Sequence, residues 1–485
     1  MQKKIDIVKY ILLIFIVFLI GFKLSFADNF NVNDNFRNSD NGLRNPTNDK
    51  LKDYYYYSNM ISELIYNIPE VKKAKDELYS AYYDLKLAYS QYGINLESYY
   101  NYGYNQPTVK INIGFNTINI SNDYPYNYGL RLTKLLYSFN FLENIVISKQ
   151  INYYSKYLKN QQTLNDNYLK FYELMSNVIK AKDFLDYTYN LINYTNEFLK
   201  TTYNLYSVGV LPRLDYVKAQ SVYQESLTQN IIAKDNYMLA KQSLLSFLNT
   251  TENNFNIDSF ITYIYKANYQ DKIYLKDNNL NIDLAYLNKL NKDPRDLLIS
   301  EILYSSIEAL KYQAKALNYQ NAPKLLLTAT YDKHKLSGFS KDYSFNINLS
   351  LSWKLFDSGN SYYNKQILLQ NIDSLYQDYK RLIINLDLAK SNYKTKFINN
   401  YNSLISYYKT FNYQKELFRV TKLRYENGLS TYLEYLDSQN SLLQSELNLN
   451  NTKSDLLLNY VYILYYNDVD LNLNNFLNYF FKIIK

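Results

Sequence analysis

His334 is the single histidine in the 485-residue chain, and there is no cysteine. Those two counts remove thiolate nucleophiles, disulfide frameworks, cysteine metal sites and most zinc hydrolases. A Ser-His triad would have to use His334, which sits in Asp332-Lys-His-Lys335, a charged turn between two strand-like runs. That context reads as an exposed loop histidine. The chain has no G-x-x-x-x-G-K phosphate loop, no H-E-x-x-H and no G-x-S-x-G. Its acids are scattered along long helices as solvated faces rather than paired for acid–base work. The expectation is therefore no catalytic residue, no metal site, no cofactor and no enzyme activity.

Composition narrows the classes further. Only 10 Gly and 7 Pro exclude collagen-like, linker and turn-rich sandwich proteins. The formal charge of +8 falls to +5 without residues 1–27, and it is spread rather than clustered, which argues against a nucleic-acid partner. The 59 tyrosines, beside abundant Asn, Lys and Ile, read as codon bias. Tyrosine then stands where other sequences place Leu or Phe.

The N-terminus carries Lys3, Lys4 and Lys9, then the 12-residue apolar run 11–22, then Ser25-Phe26-Ala27, a small-x-small cleavage site. This is the pattern of an export signal over residues 1–27. The run is too short to span a bilayer, and a brief inner-membrane anchor is the alternative. With no further long apolar run, membrane insertion would need a closed β-barrel. Residues 28–53 read as a polar lead-in, disordered or extended.

Residues 140–206 lack Gly and Pro, and Tyr157, Leu164, Phe171, Val178, Leu185, Ile192, Leu199 and Tyr206 recur every seven. Such a run predicts a coiled-coil seam on a helix about 100 Å long. The register returns 219 residues later in Tyr376, Ile383, Lys390, Phe397, Leu404, Phe411, Phe418 and Tyr425, broken only by Lys390. Residues 206–220 align without a gap on 425–439, with five identities, and Asp215 meets Glu434. The chain is thus internally duplicated. Gly209 and Gly428 stand where each long helix must reverse, and Pro212 suits the next first turn. A second long helix follows each turn, the later one marked by Leu442, Leu449, Leu456 and Ile463.

Strand patterns lie between the helices. Leu325–Tyr331 and Phe345–Trp353 alternate around a polar loop, Lys333 to Asp342. In the first half Val109, Ile111, Ile113 and Phe115 alternate, and Tyr128-Gly-Leu130-Arg-Leu132 begins a return. The outgoing strand starts near Ile94 or near Pro107. Trp353 and the tyrosines near 99–104 and 124–128 suit an aromatic girdle, or are ordinary strand aromatics.

The order of these features resembles the TolC-like outer-membrane efflux family over roughly residues 54–475. The carriers are the duplication, the Asn67-Ile-Pro69-Glu70 helix break, the paired Tyr-x-x-Gly tips, and the strand exits Lys134-Leu-Leu-Tyr-Ser138 and Lys354-Leu-Phe-Asp-Ser358. The resemblance implies a mainly α fold with a membrane β part. A homotrimer would build a twelve-stranded outer-membrane β-barrel, four strands per protomer, continued by a periplasmic α-barrel of antiparallel helical hairpins. The implied partners are a periplasmic adaptor, an inner-membrane transporter and outer-membrane lipid.

The domains expected are a first repeat 54–248 with a β-hairpin at about 94–138, an equatorial segment 249–290, a second repeat 291–468 with a hairpin at about 323–356, and an equatorial end 469–485. Glu434 and Asp437 match the family's entrance carboxylates, and three residues apart they share a helix face. Asp215 and Tyr425 match residues linking neighbouring hairpins. Their usual arginine falls on Ser430, leaving Arg213 or Tyr432 as substitutes. Gly209, Val210, Leu211, Gly428 and Leu429 match the adaptor-contacting tips. The implied function is a passive exit duct for small toxic compounds or a secreted polypeptide. The competing readings are a periplasmic coiled-coil tether and an exported enzyme.

Overall fold

The two stretches free of Gly and Pro each fold as one uninterrupted helix. A computed structural model describes residues 49–104, 106, 110–114, 116–119, 126–262, 290–334, 343–427 and 429–472. The expected signal, most of the lead-in, most of the equatorial segments, Pro107 and Gly428 lie outside the described residues. The chain divides into two units at Tyr56 and Tyr57, and the architecture below belongs to the second.

The described elements run α1 (Asp49–Tyr66), α2 (Pro69–Ser90), β1 (Ile94–Tyr102), β2 (Lys110–Ile113), β3 (Asn116–Asn119), β4 (Tyr126–Tyr137), α3 (Phe141–Ser207), α4 (Arg213–Phe247), α5 (Leu298–Asn318), β5 (Lys324–His334), β6 (Tyr343–Ser352), α6 (Asn360–Glu426) and α7 (Tyr432–Tyr465). Helix α1 starts at Asp49, inside the stretch expected to be a lead-in. Pro69 opens α2, where its missing N–H costs nothing.

Helices α3 and α6 have 67 residues each and keep the 219-residue offset. Their entries repeat as well. Phe139 and Asn140 are left-handed (φ 49 and 69), as are Ser358 and Gly359 (φ 56 and 82). Ser138 Oγ accepts from the Leu142 N–H at 3.1 Å, and Asp357 accepts from the Ser361 N–H at 2.9 Å. Each capping oxygen satisfies a helix N–H that has no partner in its own helix.

The sheet is antiparallel in the order β1-β4-β5-β6, so β1 and β6 are its edges. The outgoing strand starts at Ile94, and β2 pairs with β3 as a separate hairpin. Directly paired residues share a face. One face carries Leu96, Leu132, Ala329 and Ile347, with Leu130, Leu327 and Leu349 beside them. The other carries Glu97, Arg131, Thr330 and Asn346, with Thr133, Thr328 and Asn348. At the loop end, the apolar face ends in Tyr100, Tyr102, Tyr128, Tyr331, Tyr343 and Phe345, all exposed. The strand aromatics thus form a row along one level. Gly129 is required here, because a Cβ would meet the Tyr331 carbonyl at 2.2 Å.

The main core lies midway along the helices. It gathers Ile61 and Ile65 of α1, Phe171 and Val178 of α3, Leu244 of α4, Phe255 and Phe260 of the following segment, and Tyr460 and Leu464 of α7. Tyrosine is part of that core: Tyr168 is 4% exposed and its hydroxyl donates to Ser62 Oγ at 3.0 Å. Lys390, the break in the heptad, donates to the carbonyl of Lys292. Lys292 itself pairs with Asp468 at 2.7 Å, so the irregular charge fastens the chain around 292 and 468 to α6.

The two hairpins pack differently. In α6 and α7 the expected seam is buried at Phe397, Leu404 and Phe418 and at Leu442, Leu449 and Leu456. In α3 only Phe171 and Val178 of the eight expected residues are fully buried. Farther along, the seam moves to Thr188, Thr195 and Thr202, facing a row of Ala219, Ser226 and Ala233 on α4. The Thr195–Ser226 hydroxyl bond of 2.9 Å fixes that register.

Candidate functional site

The ends of the two helical hairpins collect the residues singled out in the sequence. The first tip turns at Gly209, whose φ of 76° belongs to the left-handed region. Its N–H donates to Tyr206 O at 3.0 Å, and the Val210 N–H to Leu205 O at 2.9 Å, which closes the helix end. Helix α4 begins after Pro212 with no side-chain cap. Val208 and Val210 are 70% and 66% exposed, and Leu211 is half-buried.

The second tip is built more tightly. The Leu429 N–H donates to Arg424 O at 2.8 Å, and the Arg424 guanidinium returns a bond to Leu429 O at 3.2 Å. Thr431 and Glu434 form a reciprocal capping box at the start of α7. Glu434 also accepts from Ser430 Oγ at 2.5 Å. That bond, then the Thr431 N–H and the nearby Arg424 charge, lower the Glu434 carboxyl below the usual range. Ser430, where the resemblance places an arginine, is thus a donor to Glu434. Leu429 and Leu433 are 69% and 70% exposed.

Glu434 and Asp437 are both exposed on α7. Asp215 lies in the first turn of α4, with Lys218 at 4.0 Å. Burial raises the Tyr432 phenol, and the Tyr425 and Asp215 charges raise it further. Tyr425 is raised by burial and by Asp215. Asp215, Tyr425 and Tyr432 are therefore neighbours within one chain, but the Tyr432 hydroxyl makes no hydrogen bond to Asp215.

Sequence reasoning missed three contributors. Arg424 gave no signal, being one more exposed cation on a helix. The capping box was visible as Thr431-x-x-Glu434. Phe198 lies one residue off the expected seam position Leu199, yet it is 3% exposed at the centre of the tip cluster.

An open cavity of about 280 Å³ lies between α3 and α7, lined by Asp183, Asp186, Glu446 and Asn450. Lys182 pairs with Asp186 at 2.6 Å, and half-buried Lys453 sits near Asp183 and Glu446, so cations of the chain itself serve these acids. Among the described residues no His, Cys, Asp and Glu group could hold a metal ion, and no helix is long and apolar enough to cross a membrane.

A family model described as outer membrane efflux protein matches residues 305–463. No curated protein matches by sequence. Among solved structures, the CmeC outer membrane channel of Campylobacter jejuni superposes with a TM-score of 0.68 at 14% identity, covering 90% of this chain and 91% of that one. The outer membrane protein VceC of Vibrio cholerae gives 0.67 at 12% identity, covering 86% and 97%. A membrane protein from Pseudomonas aeruginosa gives 0.67 at 14%, covering 87% and 94%. Residues 305–463 thus match the outer membrane efflux protein family, and the chain as a whole has the fold of these outer-membrane channels.

Proposed function

We propose that the protein is a passive exit duct of the outer membrane. It works with a periplasmic adaptor and an energised inner-membrane transporter to export small toxic compounds or a secreted polypeptide. The observation that carries this reading is the four-stranded sheet. It has one apolar and one polar face, unpaired edges at β1 and β6, and 67-residue helices leading away from it. In a bilayer those edges must be paired, because no water is present to satisfy them. Two further copies of the chain pair β1 with β6 and close the sheet into a barrel of twelve strands. The apolar face then meets lipid and the polar face lines the lumen.

Under this reading, threefold symmetry gathers Glu434 and Asp437 into a ring of carboxylates that attracts cations at the entrance. Gly209, Val210, Leu211, Gly428 and Leu429 form the surface offered to the adaptor. The chain's own residues supply positioning, a lumen wall and a constriction, and the driving force comes from the partner.

Outer-membrane fractionation followed by planar-bilayer recording of the detergent-purified protein tests this. The expected result is insertion in the outer membrane and small, discrete, cation-selective steps. A protein found wholly in the soluble periplasmic fraction would be a tether or another periplasmic component, and the duct reading would fail.

A further inference from the structure

The two hairpins of one chain meet at their tips through aromatic rings. Phe198 of α3 stacks on Tyr432 of α7 with centroids 3.7 Å apart and planes 13° from parallel. It also lies 6.2 Å from Tyr435 and 6.3 Å from Tyr425. Tyr425 stacks on Tyr435 at 5.1 Å, and Phe418 adds an inclined contact to Tyr435 at 5.7 Å. Tyr432 and Tyr435 belong to the first turn of α7, and the exposed side of the same stretch carries Glu434 and Asp437.

Polar atoms around the stack contribute little to holding it. The Tyr432 hydroxyl and both amide atoms of Gln439 are buried without a hydrogen-bond partner. Such groups disfavour the packed arrangement, so ring contact must offset them. At the tips the rings supply that contact.

We propose that Phe198 is a positioning residue for the entrance carboxylates: its stack on Tyr432 lets the first hairpin set where α7 places Glu434 and Asp437. The inference rests on the reading of those carboxylates as the duct's constriction. A ring stack draws on apolar area and quadrupole geometry rather than net charge. Unlike an ion pair between hairpins, it keeps its strength as salt rises. The tip of this chain is thus held narrow by a link that is indifferent to ionic strength.

The test is planar-bilayer recording of the full chain and its variants at low and high potassium chloride, with magnesium as the blocking ion. Phe198→Ala is expected to raise open occupancy about tenfold, the factor set by one aromatic pair, and to weaken magnesium block. Phe198→Tyr is expected to restore both. The wild-type open occupancy is expected to stay constant between the two salts, because the link is not ionic. Phe198→Leu, which keeps an apolar side chain, covers the case in which the alanine variant does not fold.

A conducting wild type matched by Phe198→Leu in occupancy and block overturns the inference and leaves the duct reading standing. A wild-type open occupancy that climbs with salt also overturns it, because the link would then be ionic. Silence from wild type and every variant, with insertion shown, overturns the duct reading and this inference together.

Discussion

The first and second hairpins share length, offset and entry turns, yet the second adds a row of large apolar residues to its seam. Between α3 and α4 the buried row is Thr188, Thr195 and Thr202 with Ala219, Ser226 and Ala233. Between α6 and α7, Phe397, Leu404 and Phe418 are buried with Leu442, Leu449 and Leu456, beside Thr421, Ser438, Ser445 and Thr452. Duplication preserved the frame and let the filling diverge. Small residues bring backbones together, whereas large ones hold them apart and bury more apolar area for each layer.

The largest effect that separates the two seams is expected from truncation. Leu449→Ala, at a residue 5% exposed in the core, should cost about 2–5 kcal/mol, while Thr195→Ala in the first seam should cost about 1 kcal/mol. Denaturant unfolding followed by circular dichroism reads both. Equal losses would mean that the two seams carry similar loads.

Enlargement should reverse the order. Ala219→Leu, at a fully buried position, is expected to cost about 1–3 kcal/mol, because the close approach leaves no room. Leu442→Met in the second seam should cost less than about 1.5 kcal/mol. A tolerated leucine at 219 would show that the first seam has slack.

The tips differ in the same direction. Thr431 caps α7 and Pro212 leaves α4 uncapped. Thr431→Ala should lower stability by about 1 kcal/mol, and Pro212→Ser should cost little or add stability. Thermal midpoints of the pair decide whether the second tip owes its order to its cap.

The smallest effect concerns the short helices. In the second half, α5 rests on α6 through Ile307, Ala314 and Ile372. In the first, Glu77 of α2 is held by Lys156 at 2.8 Å and Lys159 at 3.2 Å of α3. Those bonds lower its carboxyl to about 2. A lowered carboxyl contributes stability that is complete above its unfolded value, near pH 4.3, and lost as pH falls through about 2. Solvent screening holds the effect below about 1 kcal/mol. Acid titration of wild type and Lys156→Ala/Lys159→Ala should therefore diverge only below about pH 5, with the wild type losing more on the way down. Parallel curves would remove the triad from the contrast.

The same chemistry explains what the sequence disclosed. Phe397, Leu404, Leu449 and Leu456 were legible because large apolar residues at heptad spacing announce a seam. The threonine and alanine row was not, because Thr188, Ala219 and Ser226 carry no apolar signal and the eye follows Leu185, Ile192 and Leu199 instead. Phe198 escaped for that reason, standing one place from Leu199. The strand faces were legible from alternation, and the start at Ile94 was settled only by the pairing of Ile94 with Lys134. Lys390 breaks the repeat because its amine serves the Lys292 carbonyl, a partner that no local period can indicate. Contacts with distant chain segments leave no trace in a local period.

The threonine row has a mechanical consequence. Thr188, Thr195 and Ser226 each find a carbonyl on their own helix, Leu185 O at 2.9 Å, Leu191 O at 2.9 Å and Tyr223 O at 2.7 Å. Two further bonds cross between the helices, Thr195 to Ser226 at 2.9 Å and Asn230 to Thr188 at 3.0 Å. A slide of about 10 Å, one heptad, would bring small side chains opposite small side chains again but would break both. The first hairpin is therefore a pinned rail, in which close backbones resist spreading and the hydroxyls lock the position along the axis.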